Sequence, residues 1–494
     1  VAAAAKEYMA MLPQDLAASI DLEVQTLRYL GNVVHQAHAV MSLYEGVITI
    51  EQASALLPGG SNIALFGQLT PADSGPYFEG QLEVASDDAR AVISWLDLMN
   101  VSDIPSDRLR SFSLTTAINI DQQGGELSAL NLRIDASRLV GNANFKLGTH
   151  NQINADLHLD QLNADAYLIP KSARSNSAAA GDTATDNSAT GTGDAANTDS
   201  KASSKTTDAV VWAFLDGLGA AVKLTVDRLS YGGAVLSSVI FDGALKEDIL
   251  TLHRLDVADL SGANLALKGE INSVSREPYM NLTFNATAKS LLGLMRVADI
   301  NPSLRADNIG ALSLTGTLSG GRAAINVNAR VEARPAILSL VGSINTPFES
   351  PTLNMGLEMR AGDTAELLRT ADITPPKLAH RLGPLALDGG LDGSLDALNV
   401  SLSAHAAGNH LQLAGNLTDF SAGGRFNIAF NLTNPKFTAL AELLSGEPYD
   451  GQNVGAVYIK GRLAGNSQAA SLSELNLALG ETQIRGTADF DLGG

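Results

Sequence analysis

Residues 312–318 have the sequence LSLTGTL, in which apolar residues alternate with small polar ones around a central glycine. The same pattern, apolar-x-apolar-x-Gly-x-apolar, recurs at residues 239–245, 385–391 and 457–463, so that its glycines are 73, 73 and 72 residues apart. A second copy follows each of the first three after 26 residues, at 265–271, 338–344 and 411–417. Such a period indicates a tandem repeat protein, whose units contact mainly their neighbours and which works through an extended surface.

The alternation predicts strands with one apolar and one polar face, because neighbouring side chains of a strand point in opposite directions. A glycine on the apolar face of a strand destabilises it unless the sheet bends there or another group approaches closely. Because equivalent glycines recur in successive strands, we expect the sheet to curl across its width into a trough with an apolar inner face.

One period contains four strands and a short helix. Strands are predicted from alternation or short apolar runs at residues 239–245, 249–252, 264–271 and 279–285. Helices are predicted from compact apolar spacing at residues 290–297, 365–373 and 438–444.

The same period extends into the N-terminal half. Residues 27–70 align without a gap to residues 229–272, and residues 87–98 supply the helix. A shorter unit has strands near residues 112–118, 130–134, 142–147 and 153–159. We therefore predict a mainly β fold of five repeats and a truncated sixth. Each repeat has about four strands plus a short helix, and together they form one long curled, twisted antiparallel sheet, an open β-groove.

Four regions follow from this pattern. Residues 1–108 are expected to hold an N-terminal helix and the first repeat, residues 109–170 the shorter second repeat, and residues 209–494 three repeats and a truncated further one. Residues 171–208 are of low complexity; between Ser175 and Thr206 no large apolar residue offsets the entropy of ordering, so we expect a disordered insertion. Residues 210–222 are expected to form an amphipathic helix.

Composition limits the partners. The formal net charge is −20, which disfavours nucleic acid because binding a phosphate backbone needs a clustered basic surface. The sequence has no cysteine, no run of about 18 apolar residues long enough to span a membrane and no signal peptide. Because the chain begins at Val1 rather than at Met, we expect it to be an internal fragment of a longer protein.

The apolar residues of the repeated pattern are the candidate binding residues. If the apolar face stays uncovered, the ligand that suits it is hydrocarbon, with acyl chains in the groove and headgroups in water. The candidate groove-lining residues are Ile63, Leu65, Leu69, Phe241, Leu265, Leu267, Ile271, Leu312, Leu314, Leu338, Leu340, Ile344, Leu385, Leu387, Leu411, Leu413, Leu417, Val457 and Ile459.

No catalytic or metal-binding arrangement is predicted. His35 and His38 lack a nearby carboxylate triad, and His405 and His410, five residues apart in strand-like sequence, are expected to point to opposite faces. The Asp/Gly-rich residues 388–396 are interpreted as a turn rather than a calcium loop. No nucleophile, phosphate-binding or dinucleotide motif occurs, so we expect neither enzymatic activity nor a cofactor.

Two segments resemble the AsmA family of Gram-negative bacteria. In residues 27–67 a Gly-rich turn, LLPGG at 56–60, precedes a strand, which is similar to that family's recurring use of such a turn. Residues 162–170, LNADAYLIP, followed by a low-complexity insertion, resemble the segment before the family's C-terminal region. The resemblance covers essentially the whole chain.

The resemblance implies a periplasmic protein that is anchored to the inner membrane and related to repeating β-groove lipid transfer proteins. It implies phospholipid transport between membranes and outer-membrane biogenesis. The implied partners are phospholipid or another acyl lipid, the inner membrane through an N-terminal membrane helix that we expect upstream of Val1, and outer-membrane proteins. The family has no catalytic residues to transfer.

A secreted or surface β-solenoid of the adhesin type, with a closed core, is the alternative. It predicts coils of about 20 to 30 residues, which the 73-residue unit does not favour.

Overall fold

A computed structural model describes the chain over most of its length. The described residues are 16–72, 75–97, 100–101, 104–148, 151–167, 218–260, 262–290, 310–370, 374–375, 379–394, 396–419, 424–445, 447–449, 451, 455–466 and 468–491. They are 70% strand and 8% helical, which confirms the mainly β fold class. The backbone divides into two compact units, of which the first ends at Asp259 and the second begins at Leu260, except that residues 274–276 belong with the first.

The first unit contains twelve described strands and one described α-helix. Its elements are β1 (Ala18–Tyr29), β2 (Asn32–Tyr44), β3 (Val47–Leu57), β4 (Ser61–Thr70), β5 (Tyr77–Ser86), α1 (Ala89–Trp95), β6 (Phe112–Ile120), β7 (Gly124–Ile134), β8 (Ser137–Lys146), β9 (Asn151–Asn163), a 3-10 turn (Ala164–Tyr167), β10 (Leu218–Tyr231), β11 (Ala234–Lys246) and β12 (Ile249–Leu260).

The second unit contains thirteen described strands and three described helices. Its elements are β13 (Ala263–Asn272), β14 (Tyr279–Ala288), β15 (Leu312–Gly320), β16 (Ala324–Ala333), β17 (Ala336–Asn345), β18 (Thr352–Ala361), α2 (Thr364–Thr370), α3 (Ala379–Leu382), β19 (Leu385–Ser394), β20 (Ala397–Ala406), β21 (Asn409–Thr418), β22 (Arg425–Asn434), α4 (Phe437–Ser445), β23 (Val457–Asn466), β24 (Ala469–Leu479) and β25 (Thr482–Asp491).

The predicted repeat of four strands and a short helix is confirmed in the second unit, where β15–β18 are followed by α2 and β19–β22 by α4. In the first unit five strands, β1–β5, precede α1, one more than predicted. Residues 291–297 of the helix predicted at 290–297, the insertion at 171–208 and the expected N-terminal helix lie outside the described residues.

The expectation of an entirely antiparallel sheet is wrong at one place. β9 and β10 pair in parallel, with Leu157 opposite Leu224 and Leu159 opposite Val226. A parallel pair needs a connection of a dozen or more residues, and residues 164–217 between these strands supply one. The other strand pairs within the first unit from β1 to β11 are antiparallel.

The prediction of an amphipathic helix at residues 210–222 is wrong for residues 218–222. Residues 218–222 begin β10, which is hydrogen-bonded to β9 on one side and β11 on the other. Val222, Leu224 and Val226 are less exposed than Ala221, which precedes them, and Lys223, which lies between the first two, as in a strand with one covered face. The apolar spacing of these residues fits a helix or a strand, and pairing with the two neighbouring strands decides in favour of the strand.

The helices cover the ends of the strands. In α4, Leu440 and Leu443 are buried together with Val457 of β23, and Phe437 packs against the same cluster. The Arg381 guanidinium of α3 donates a hydrogen bond of 3.0 Å to the carbonyl of Leu443. This cluster is therefore a small core of three buried residues with partly buried residues around it.

An Asn pair closes the strand pair β21–β22 where it meets α4. Asn434 donates a side-chain hydrogen bond of 2.9 Å to Asn409, and both residues are buried. One and two periods earlier, alanine pairs occupy the corresponding ends: Ala336 opposite Ala361 and Ala263 opposite Ala288. The position thus accepts either two small residues or two mutually bonded amides.

The pairing predicts coupling between the two asparagines. Asn409→Ala should lower the free energy of unfolding by about 1–3 kcal/mol, because it leaves the buried amide of Asn434 without this acceptor. The double variant Asn409→Ala/Asn434→Ala should lower the free energy of unfolding by less than the sum of the two single changes, since Asn434→Ala removes the amide that Asn409→Ala leaves without its acceptor. Denaturant unfolding of the four proteins measures this, and additive costs would contradict it.

Asp135 holds three peptide groups and a phenol in the first unit. Its carboxylate accepts hydrogen bonds from the backbone N–H groups of Leu109 (2.8 Å), Arg110 (2.9 Å) and Ser111 (3.3 Å) and from the Tyr167 hydroxyl (2.8 Å). Burial raises the pKa of Asp135, but these hydrogen bonds outweigh it and hold the pKa below 3.8. Burial, then the hydrogen bond to Asp135, raises the pKa of Tyr167 to about 12.

Tyr167→Phe should therefore destabilise the protein between pH 4 and pH 10. We expect a loss of about 1 kcal/mol near pH 7, since the hydrogen bond to a charged group is partly exposed. This loss of stability should shrink as pH falls through the lowered pKa of Asp135, because the Asp135 carboxyl group is then protonated in the folded protein as well as in the unfolded one. It should also shrink as pH rises from 10 to about 12, as Tyr167 ionises. Thermal melts of both proteins across pH measure the difference; a pH-independent difference would contradict this account.

Candidate functional site

An apolar row crosses every described strand of the second unit. Residues directly opposite each other in an antiparallel pair project from the same face of the sheet. Following the pairing from β13 to β25, one such row consists of Leu265, Ala286, Leu314, Val331, Leu338, Met359, Leu387, Ala404, Leu411, Leu432, Ile459, Leu477 and Ile484. The apolar face is therefore continuous across the unit.

A second row beside it mixes glycine with large side chains. It runs Leu267, Phe284, Gly316, Ala329, Leu340, Leu357, Gly389, Leu402, Leu413, Phe430 and Gly461. A Cβ atom on Gly316 would lie 2.7 Å from Cζ of Phe284, and one on Gly461 would lie 2.8 Å from Cζ of Phe430. Gly316 and Gly461 thus make room for rings from neighbouring strands, whereas the side chain nearest to Gly389 is that of Leu402.

All nineteen predicted groove-lining residues lie on covered positions of their strands. Leu312 and Val457 are buried, the first in a small cluster with Ala263 and Ala288, the second under α4. The other seventeen are half-buried, and none of the nineteen is exposed. Half-burial means that neighbouring side chains on the same face cover them only in part.

Four of these residues lie in the first unit. Ile63, Leu65 and Leu69 project from one face of β4 and oppose Val84, Leu82 and Phe78 of β5. Phe241 of β11 opposes Leu224 of β10. These pairs repeat locally the arrangement of the second unit.

The polar residues between them project from the other face. Asn264, Lys268 and Glu270 of β13 and Gln412 and Asn416 of β21 are exposed. This agrees with the alternation predicted from the sequence.

The motif on alternate strands did not identify the whole face. Strands β14, β16, β18, β20 and β22 contribute residues such as Phe284, Met359 and Leu432 to the same rows, and none of these was a candidate. The signal that could have identified them is their own alternation, as in residues 426–432, FNIAFNL.

The close approach expected at the motif glycines is observed at Gly342. A Cβ atom there would overlap the carbonyl oxygen of Asn354 and lie 2.7 Å from the Met355 Cα, nearer than the 3.0 Å that real Cβ atoms keep. On the polar face of the paired strand, a Cβ atom on Gly356 would lie no nearer than 3.4 Å to any atom outside its chain neighbours. Packing therefore requires a glycine at position 342 but not at position 356.

Gly342→Ala should lower the free energy of unfolding by about 1–3 kcal/mol, because the backbone of β18 must move away from the added methyl group. Gly356→Ala is the matched control in the paired strand and should change it by less than about 1 kcal/mol. Denaturant unfolding compares the two variants. If the two variants were destabilised equally, Gly342 would be needed for its backbone conformation, as any glycine in a strand could be, and not for the close approach of β18.

The histidine and aspartate segments differ from expectation. His405 and His410 do not point to opposite faces: the turn at Ala407 and Gly408, both with positive φ, makes them cross-strand partners with rings stacked at 4.3 Å. Residues 388–394 belong to β19 rather than to a turn, because Asp388 pairs with Glu358 of β18 and Ser403 of β20.

His35 and His38, for which no metal site was predicted, have different neighbours. His38 Nε2 lies 2.9 Å from Asp21 Oδ1, and His35 is opposite Thr26 in β1. Within the described part of the chain, no three His, Asp or Glu side chains are placed to hold a metal ion.

Comparison of the chain with protein-family models, with curated proteins and with solved structures finds no match. Among the described residues, no helix has both the length and the apolar character needed to cross a membrane.

Proposed function

We propose that this protein binds the acyl chains of lipids along the apolar face of its sheet. The observation that carries the proposal is the apolar row that crosses all thirteen described strands of the second unit; most of its residues are half-buried, while Ala286 is buried and Ile484 is 56% exposed. An apolar surface of this extent on one side of a sheet is stabilised when hydrocarbon covers it.

The chemistry of the face favours a flexible chain over a compact ligand. Its rows consist of aliphatic and aromatic side chains, alanine and glycine, so binding is non-directional and each methylene that leaves water contributes about 0.8 kcal/mol. A headgroup would stay in water at the rim. The face thus binds acyl chains with little dependence on the headgroup.

From this we propose phospholipid transport between the two membranes of a Gram-negative bacterium, in support of outer-membrane biogenesis. The protein would act in the periplasm, held at the inner membrane, as the resemblance to the AsmA family suggests. Its role would be binding and guidance of lipid rather than catalysis, with outer-membrane proteins as further partners.

Substitutions in the first row test the proposal. Leu265→Asp/Leu338→Asp/Leu411→Asp adds three carboxylates to one row of the apolar face and should reduce loading of a fluorescent phospholipid from vesicles at least tenfold. The matched control, Ala266→Asp/Ser339→Asp/Gln412→Asp, adds the same charges one residue later in each strand, on the polar face, and should load like the wild type. Circular dichroism checks that both variants are folded.

Lipid extraction and mass spectrometry of the wild-type protein complete the experiment. Co-purifying or exchangeable phospholipid is expected. If none is found, or if both triple variants load equally, the apolar face is not the lipid site, and a closed core of the adhesin type becomes the better interpretation.

A further inference from the structure

The charge of the sheet changes sign locally in strands β20–β23, before the last two strands, which carry Glu474, Asp489 and Asp491. Strands β20, β21, β22 and β23 have ten residues each and contain no Asp or Glu. Their only Lys or Arg residues are Arg425, Lys460 and Arg462. In a chain with 53 acidic and 33 basic residues, this segment is an exception.

Two polar rows lie side by side on the face opposite the apolar rows. The first consists of Gln412, Asn431, Lys460, Asn476 and Arg485, one from each strand from β21 to β25. The second consists of His405, His410, Thr433, Tyr458, Ala478 and Gln483. Tyr458 is 54% exposed and stands two residues from Lys460 on the same strand face.

The first row lines a cleft of about 860 Å³, here called the polar cleft. Ala414 and Ala429 lie beside the row and also line the cleft, so small residues leave space between the longer side chains. Gln412, Asn431, Lys460 and Arg485 are exposed. The cleft therefore presents amides and cations to a ligand.

Its charges are unevenly compensated. Lys460 and Arg485 are two strands apart, which corresponds to about 10 Å. Glu474, the one carboxylate among the described residues that line the cleft, lies 3.9 Å from Arg462. Arg485 donates only a long hydrogen bond of 3.5 Å to neutral Gln483. Two cations thus face the cleft with little opposing charge.

We propose that the polar cleft binds an acidic oligosaccharide, one that carries carboxylate or phosphate groups. The side-chain amides of Asn431, Asn476 and Gln412 can both donate to and accept from sugar hydroxyls. Lys460 and Arg485 supply charge-assisted hydrogen bonds to two acidic groups along the ligand. The exposed ring of Tyr458 gives a sugar ring an apolar surface to stack on.

This site is separate from the proposed lipid face, because it lies on the other side of the same strands. Both faces can be occupied at once. Loss of one activity with retention of the other therefore distinguishes failure of this inference from failure of the proposed function.

Titration calorimetry with a galacturonic acid hexamer and with a phosphomannan pentamer tests the site. At least one should bind, and a glucose hexamer should bind at least tenfold more weakly. Lys460→Ala/Arg485→Ala should weaken binding at least tenfold while phospholipid loading stays unchanged. Lys268→Ala/Arg330→Ala removes the same charge from the polar face of β13 and β16, outside the cleft, and should bind like the wild type.

Asn431→Ala and Tyr458→Ala separate sugar recognition from simple charge attraction. Each should weaken binding of the acidic oligosaccharide about three- to tenfold and leave inorganic polyphosphate binding unchanged. The proposal is overturned if neither oligosaccharide binds, or if both double variants lose binding equally. It is also overturned if polyphosphate or single-stranded DNA binds as tightly as the oligosaccharide and Asn431→Ala and Tyr458→Ala have no effect.

Discussion

The register of strand pairing is the constraint on which the rest of this structure depends. From β13 to β23, within the second unit, each strand pairs with the next without a register shift. Because side-chain direction has a period of two residues, a slip of one residue at any pair would turn a strand's apolar side chains to the polar face. Two-residue turns such as Ala407–Gly408 help to prevent such a slip, since they determine which residues of the two connected strands lie opposite each other.

This register produces two faces of different chemistry on the same strands. On one, glycines lie opposite large residues, as Gly316 lies opposite Phe284 and Gly389 opposite Leu402, so that large side chains extend over the gaps that the missing side chains leave. On the other, amides and charged groups remain in water, and around Lys460 they form a cleft. An apolar ligand and a polar ligand can therefore be bound by the two sides of one sheet.

Much of the fold and part of the candidate site were predictable from local pattern. The alternation around Gly342 and Gly415 predicts a strand, its apolar face and a glycine needed for close approach. Residues 218–222 were not predictable, because a short apolar run fits a helix or a strand until its neighbours are known. Phe284 and Met359 were missed because their strands lack the glycine motif and join the apolar face only through pairing.

The sequence by itself determined the mainly β class, the period near 73 residues, the order of strands and helices within a repeat and the existence of an apolar face. These depend on spacing within one element, which local sterics decide. Only the tertiary structure decided which residues stand side by side across strands: the parallel pair β9–β10, the stacked His405 and His410, and the alignment of Gln412 with Lys460 and Arg485. For the pair β9–β10 and for Gln412, Lys460 and Arg485, the juxtaposition depends on hydrogen bonding between residues distant in the chain, which no local pattern encodes. For His405 and His410 it depends on the conformation of the turn at Ala407 and Gly408.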